Sequence, residues 1–230
     1  MPLLFQKEIE EGLIGLWSIS EELDELLLMA GLSEQDKKNF SEISALHRKK
    51  EWLATRVLLA KMVRQTDTIK YHNDGRPFLG SGLFNISISH TTGCVAVLLH
   101  RYLSPGVDIE LISRQATRVA SRFLSPEEYD ACYEKSEYSN IRLLLYWCAK
   151  EAVFKMVPYS NIEFSTDIRI MMNDLPHDQG SLQGIFNDQP EPVPIQLHYM
   201  IRDGVVLVWG VLNELKLRQK DVPDRFSGRD

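Results

Sequence analysis

The chain has 230 residues, 44% of them hydrophobic and 25% charged, with a formal net charge of −6. That length holds one large domain or two small ones, and the composition is that of a folded globule rather than a disordered segment. The acidic balance excludes general nucleic-acid binding, which needs a basic face, and no apolar run approaches the roughly 20 residues of a membrane span.

The apolar start of the chain is broken by Lys7, Glu8 and Glu10, which is not the pattern of a leader segment, so the expected location is the cytoplasm. Residues 19–64 read as mainly helical, with Ser18 or Ser20 ahead of Glu21 and Glu22 as a start signal and Trp52, Val57, Leu58 and Met62 as the apolar period. Residues 84–89 and 94–99 alternate on either side of Thr91-Thr92-Gly93, which predicts a hairpin. Tyr102 to Gly106 reads as a turn and as the joint between two halves, 1–104 and 105–216, with a polar tail at 217–230. A helix is expected from Arg114 to Phe123, a second from Ser125-Pro126-Glu127-Glu128, and a third over Ile141 to Val157. Residues 162–171 read as strand and 173–194 as a loop rich in Gly, Asn and Pro. Two last strands, 195–201 and 205–212, meet across Arg202-Asp203-Gly204. Cys94, Cys132 and Cys148 are odd in number and lack close spacing, so they read as reduced core thiols.

Two segments concentrate the chemistry. In Gly106-Val107-Asp108-Ile109-Glu110 the apolar and acidic residues alternate, so on a strand both acids face one way, about 6.5 to 7 Å apart. Two such carboxylates repel unless a cation lies between them, and oxygen ligands of this kind suit Mg²⁺ or Ca²⁺. Taken by itself, Asp-x-Glu is more often the wet face of an edge strand. The second segment is Trp147-Cys148-Ala149-Lys150-Glu151-Ala152-Val153-Phe154-Lys155. Leu145, Cys148, Ala149, Ala152 and Met156 make a buried stripe, and Trp147, Glu151 and Lys155 align at i, i+4, i+8 on another face. Charges inside so apolar a helix are costly without a ligand or counter-ion.

These two segments resemble the paired signature motifs of the phosphopantetheinyl transferase superfamily. Gly75-Arg76-Pro77 and Asn85-Ile86-Ser87-Ile88-Ser89-His90 are similar to two further family motifs, in the same order. The chain length resembles the surfactin-type branch, in which two related halves share one chain that acts as a monomer. An internal echo accords with this: Trp52-Leu53-Ala54-Thr55-Arg56 parallels Trp147-Cys148-Ala149-Lys150-Glu151.

The resemblance implies an α+β fold, a pseudo-twofold pair of similar halves, each a small antiparallel sheet packed against helices. It implies transfer of the 4'-phosphopantetheine arm of coenzyme A to a serine of an apo acyl or peptidyl carrier protein, releasing adenosine 3',5'-bisphosphate. Asp108, Glu110 and Glu151 would hold Mg²⁺, or Mn²⁺ in its place, and Lys150 and Lys155 would offset charge on the leaving phosphate. Glu151, a water it orients, or Glu127 or Glu128 would accept the serine proton. Arg48, Arg56, Arg76, Pro77, Ser89 and His90, with Asp108 and Lys155, would contact coenzyme A. Surfactin-type members place lysines ahead of the Arg48 helix to grip the 3'-phosphate; here only Lys37 and Lys38 stand there. Arg114, Arg118 and Arg122 would form a basic helical stripe that, with Phe123, docks an acidic carrier. Two other readings are a non-catalytic relative that binds carrier protein or coenzyme A, and a Mg²⁺-dependent coenzyme A pyrophosphatase.

Overall fold

The computed structural model describes residues 2–65, 67–133, 139–172, 177–187, 191–214 and 217. The chain forms two compact units, Met1–Tyr71 with Pro77–Tyr102, and His72–Arg76 with Leu103–Asp230. Both mix helices with antiparallel sheet, the α+β class expected from the sequence. No helix among the described residues is long and apolar enough to cross a membrane.

The first unit runs β1 (Leu3–Ile9), β2 (Gly12–Ser18), α1 (Leu23–Ala30), α2 (Glu34–Ser41), α3 (Leu46–Val63), β3 (Ile69–Tyr71), β4 (Pro77–Leu79), β5 (Asn85–Thr91) and β6 (Cys94–His100). Its main sheet has the order β1-β2-β6-β5, and β3 and β4 form a separate pair. The sequence reading has no counterpart to the β1–β2 hairpin, because β1 is an edge strand whose exposed Gln6, Lys7 and Glu8 hide its alternation. The predicted helical stretch is three helices. The first starts after Glu22, whose backbone N–H donates to Glu25 Oε2 at 2.9 Å, and stops at Gly31 in the left-handed conformation (φ 55°). Helix α3 lies on the sheet through Leu58 and Met62, and Gly15 makes room for both: a Cβ there would stand 2.8 Å from Met62 Sδ. The hairpin of β5 and β6 turns through Thr92-Gly93, with Gly93 at φ 77°.

The second unit runs β7 (Ser104–Leu111), a 3-10 helix (Thr117–Arg122), α4 (Pro126–Tyr133), α5 (Ser139–Met156), α6 (Phe164–Asp167), β8 (Ile168–Met171), β9 (Gln179–Phe186), β10 (Val193–Arg202) and β11 (Val205–Leu212). The five strands form one antiparallel sheet in the order β7-β11-β10-β9-β8, and α5 crosses its inner face. Three expectations are corrected. Pro105 and Gly106 lie inside a strand rather than in a turn, since β7 is an edge strand, where a missing N–H is tolerated. Residues 179–186 are a strand within the expected loop: Leu182 and Phe186 point inward while their neighbours are exposed or half-buried, a period-2 pattern masked by the exposed Gln179, Gly180 and Ser181 ahead of it. The start of the expected 162–171 strand is the short helix α6. The expected tail, apart from Leu217, lies outside the described residues.

Gly106 sets the depth at which α5 packs. A Cβ there would meet Met156 Cγ at 2.6 Å and the Ala152 carbonyl closer still. The helix therefore rests directly on the strand backbone. Its last turns lie over Gly106 while Trp147 lies over Glu110, so strand and helix run in opposite directions. Four strand residues advance about 13 Å, and nine helical residues about 13.5 Å, so the two elements stay in step along this length.

Gly106→Ala is expected to destabilise the second unit by about 3 kcal/mol, the upper part of the usual range for overpacking. Gly80→Ala, whose Cβ would approach nothing nearer than 3.5 Å, should stay within about 0.5 kcal/mol. Urea unfolding followed by tryptophan fluorescence tests both; equal midpoints for the two variants would show that the close approach at Gly106 does not constrain the fold.

Candidate active site

The register of β7 decides which way its acids point. Asp108 stands opposite Val208 and Glu110 opposite Val206, and both valines belong to the core beneath α5. Asp108 and Glu110 therefore face the helix, buried to 6% and 9% exposure. Buried carboxylates need partners. Lys155 Nζ donates to Asp108 Oδ1 at 2.7 Å and to the Val107 carbonyl at 2.9 Å. Trp147 Nε1 donates to Glu110 Oε1 at 3.1 Å, and Arg114 forms an ion pair with the same oxygen. The Arg114 guanidinium lies 5.0 Å from the centroid of the Trp147 ring, a cation–π distance.

Glu151 is the third acid of this group. Its carboxylate forms no hydrogen bond among the described residues, and its pKa is raised by burial and then by the charge of Asp108, with Lys155 and Arg114 pulling the other way. Three acids against two cations leave one negative charge over. That excess falls on Glu151, because Lys155 and Arg114 each sit against a strand acid. The buried Cys148 thiol feels the same field: burial and then Asp108 hold its pKa well above the usual value.

These donors fit a hard divalent cation in chemistry and in charge, being carboxylate oxygens only, with a surplus negative charge that a cation would relieve. Among the described residues, no three acidic, histidine or cysteine side chains converge as a metal site as they stand. Lys155 and Arg114 are paired with the strand acids.

Lys150 differs from expectation. It is fully buried, and its ammonium donates to Glu128 Oε2 at 2.6 Å and to the carbonyls of Phe164 at 2.7 Å and Ile168 at 2.6 Å. Three donors meet three acceptors, which leaves none for a phosphate. Burial lowers its pKa, with the Glu128 hydrogen bond opposing. Glu128 is correspondingly unlike a general base: 3% exposed, it also accepts from Ser125 N and Ile170 N. Glu127 is exposed, and a hydrogen bond from Ser125 Oγ lowers its pKa, which weakens it as a base.

The expected basic stripe is also corrected. Arg114 lies in the turn after β7, and residues 117–122 form a 3-10 helix, whose three residues per turn do not align positions four apart. Arg118 and Arg122 are exposed, whereas Phe123 is in the core, edge-on to Trp147 at 5.1 Å. Arg76, on the short segment 72–76, donates to the Tyr159 carbonyl at 3.2 Å and pairs with Asp74.

In the first unit, Arg48 Nη1 lies 2.8 Å from His90 Nε2 and 3.3 Å from Glu51 Oε2, so these side chains form one exposed-edge cluster. Ser89 is buried beside it in sequence, and Pro77 opens β4, half-buried. Arg56 is not placed as a free phosphate ligand. It is 6% exposed, bonded to Asp36 Oδ1 at 3.0 Å and to the Trp52 carbonyl, and stacked on the Trp52 ring. Lys37 pairs with Glu34 on the exposed face of α2. Sequence reasoning missed Arg114 and Trp147 as partners of Glu110, and Glu51, Asp36 and Glu128 as counter-ions. Only Glu51, three residues beyond Arg48 on one helix, carried a signal in its spacing.

Two outcomes follow. Lys150→Met should lower stability by about 3 to 5 kcal/mol, since it strands a buried carboxylate, and adding Glu128→Gln should restore part of that in urea unfolding; a single variant as stable as the parent would refute the structural role. Because the folded pKa of Glu151 is raised, ionising it opposes folding: the penalty is absent below the unfolded value of about 4.3 and grows as pH rises through the folded value. Without divalent cations, Glu151→Gln should therefore be more stable than the parent at pH 7, with the difference gone near pH 4. A pH-independent difference would show that Glu151 is not held against its charge.

A search of curated proteins returned no match. Residues 104–207 match the family model described as the 4'-phosphopantetheinyl transferase superfamily, a span that contains Asp108, Glu110, Arg114, Lys150, Glu151 and Lys155. This segment is similar to the 4'-phosphopantetheinyl transferase superfamily, a likeness that supports a phosphopantetheinyl transferase activity in general.

Proposed function

We propose that the protein transfers the 4'-phosphopantetheine arm of coenzyme A to a serine hydroxyl of an apo acyl or peptidyl carrier protein. The observation that carries this reading is the trio Asp108, Glu151 and Lys155 inside the matched segment: an acid fixed by a lysine beside a second acid whose charge is in excess. The serine oxygen attacks the phosphorus that bears the pantetheine arm. The bond from that phosphorus to the bridging oxygen breaks, and adenosine 3',5'-bisphosphate leaves with the electron pair. Such chemistry asks the protein for alignment, charge neutralisation and a proton acceptor rather than a covalent intermediate.

Asp108, Glu110 and Glu151 would hold Mg²⁺ or Mn²⁺, which when bound supplies positive charge against the pyrophosphate oxygens. Glu151 suits the proton acceptor, since burial and Asp108 move its pKa toward neutrality, where a general base works best. Lys155 uses two of its three donors on Asp108 and Val107 among the described residues and is 26% exposed, so its ammonium is fixed in direction while its third N–H is left for a phosphate oxygen. Lys150 acts at a distance from the reaction, holding α4, α5 and the start of β8 together through Glu128 and two carbonyls. The Arg48–His90 pair, with Ser89, Arg76 and Pro77, is assigned to the nucleotide end of coenzyme A. The exposed Arg118 and Arg122 are assigned to the acidic carrier, which an acidic chain can attract only through a local basic patch. The same reading takes the two units as related halves of a surfactin-type monomer in the cytoplasm, each built on an 18-residue helix with a tryptophan.

Incubation with coenzyme A and Mg²⁺, with and without an apo carrier protein, followed by mass measurement of the products, tests this. Loaded carrier and adenosine 3',5'-bisphosphate are expected only when the carrier is present. Cleavage of coenzyme A without carrier would indicate a pyrophosphatase, and binding without cleavage a non-catalytic relative. Asp108→Asn should lower transfer by orders of magnitude, and Lys155→Ala should weaken coenzyme A binding in calorimetry, with partial recovery in Lys155→Arg. Transfer at the parental rate by Asp108→Asn would sink the assignment.

A further inference from the structure

We propose that Arg114 is a tethered counter-cation, which competes with the divalent cation for Glu110 and so sets how tightly the site is loaded. The inference rests on the reading of Asp108, Glu110 and Glu151 as cation ligands. Its own basis is the placement of Arg114 among acids on the helix-facing side of β7. The guanidinium pairs with Glu110 Oε1, the oxygen that also accepts from Trp147 Nε1, and stands over the Trp147 ring. Its charge acts on Glu151 as well. Arg114 therefore pairs with one of the three acids and acts at longer range on a second.

Three features make this a yielding contact rather than a permanent one. The Arg114 side chain is 41% exposed against 26% for Lys155, so the partner of Glu110 is the less buried of the two internal cations. Lys155 is held by a second acceptor, the Val107 carbonyl, whereas the remaining contact of Arg114 is a ring face. With its guanidinium partly in solvent, this pair is more open to competing ions than the Lys155–Asp108 pair. The tether is short, because Arg114 N donates to the Leu111 carbonyl at 3.0 Å in the turn that ends β7. A displaced guanidinium consequently stays nearby at high effective concentration and returns when the cation leaves. In either state Glu110 keeps a counter-charge: a cation on it replaces the guanidinium, and the second charge of a divalent ion also meets the excess on Glu151.

The test is Mn²⁺ binding to the full chain, measured by electron paramagnetic resonance without coenzyme A or carrier. Arg114→Gln should bind Mn²⁺ at least about threefold tighter than the parent, the lower end for an ion pair with one member in solvent, while Arg114→Lys stays near the parent. Glu110→Gln should bind at least about tenfold weaker, the loss of one charged ligand. In the Glu110→Gln background, adding Arg114→Gln should give a clearly smaller gain, because the contested oxygen is gone and only the longer-range effect on Glu151 remains. Titration with Mg²⁺ should change tryptophan emission in the parent, as the guanidinium leaves the Trp147 ring, and change it less in Arg114→Gln. Unchanged or weaker Mn²⁺ binding in Arg114→Gln overturns the proposal, as does an equal gain in the Glu110→Gln background, which would mean a general field effect. If Asp108→Asn and Glu110→Gln bind Mn²⁺ like the parent, the ligand reading fails and this inference with it. If they bind weakly while Arg114→Gln matches the parent, only the role of Arg114 fails.

Discussion

The approach of α5 to the backbone of β7 at Gly106 is the constraint on which the second unit depends. With no side chain at that position, the helix lies against the strand and the Ala152 carbonyl takes the space a methyl group would fill. The contacts between helix and strand acids depend on that depth. Lys155 reaches Asp108 and the Val107 carbonyl together, and the indole of Trp147 reaches Glu110 from a position 37 residues away in sequence. A helix held farther out would leave the two acids facing a gap, exposed to water and free of their cations. Here they are nearly buried, so their charges are felt at short range and in a medium of low polarity.

Burial at that depth divides two lysines that look alike in sequence. Lys150 and Lys155 differ by five positions, more than one full helical turn, and so face different surroundings. Lys150 points into the core toward Glu128, α6 and β8 and is fully satisfied there. Lys155 points along the strand and keeps part of its surface open. A buried ion pair such as Lys150–Glu128 contributes little net stability compared with apolar packing but strongly penalises arrangements that would separate its members. In this unit the pair and two carbonyls tie α5 to α4, α6 and β8, the frame from which Glu151 and Lys155 project.

Legibility in the sequence tracked the range of the interaction. The alternation of Val107, Asp108, Ile109 and Glu110 is a local period, and the strand and the common facing of its acids follow from it. The apolar stripe of α5 is likewise local. The counter-ions are another matter: Arg114 pairs across a turn, Glu128 meets Lys150 between two helices, and Asp36 reaches Arg56 over 20 positions. Arg114, Arg118 and Arg122 misled because spacing at i, i+4, i+8 has meaning only on an α-helix, and the chain there coils more tightly. Strand β9 was hidden for the opposite reason, since its inward Leu182, Gly184 and Phe186 sit among polar and glycine residues that also suit a loop. Gly184 is small because Ile170, Leu197 and Val153 already crowd its inner face.

The surplus charge ties these observations together. A site assembled only for stability would match each buried acid with a cation, as the Lys150–Glu128 and Arg56–Asp36 pairs do. Instead Glu151 sits in the same field as Asp108, and its ionised form is opposed by burial and by a like charge. Such a mismatch lowers stability at neutral pH, and functional sites are where natural chains retain mismatches of this kind. The direction of the mismatch is informative. An excess of negative charge on oxygen donors attracts hard cations and repels bare phosphates, so an anionic substrate can approach only when positive charge arrives with it or before it. Lys155 supplies part of that charge from the protein, but it is already shared with Asp108. On the proposed reading the remainder would come from a cation that arrives with or ahead of the phosphate, an order that the charge count on two elements of the fold favours.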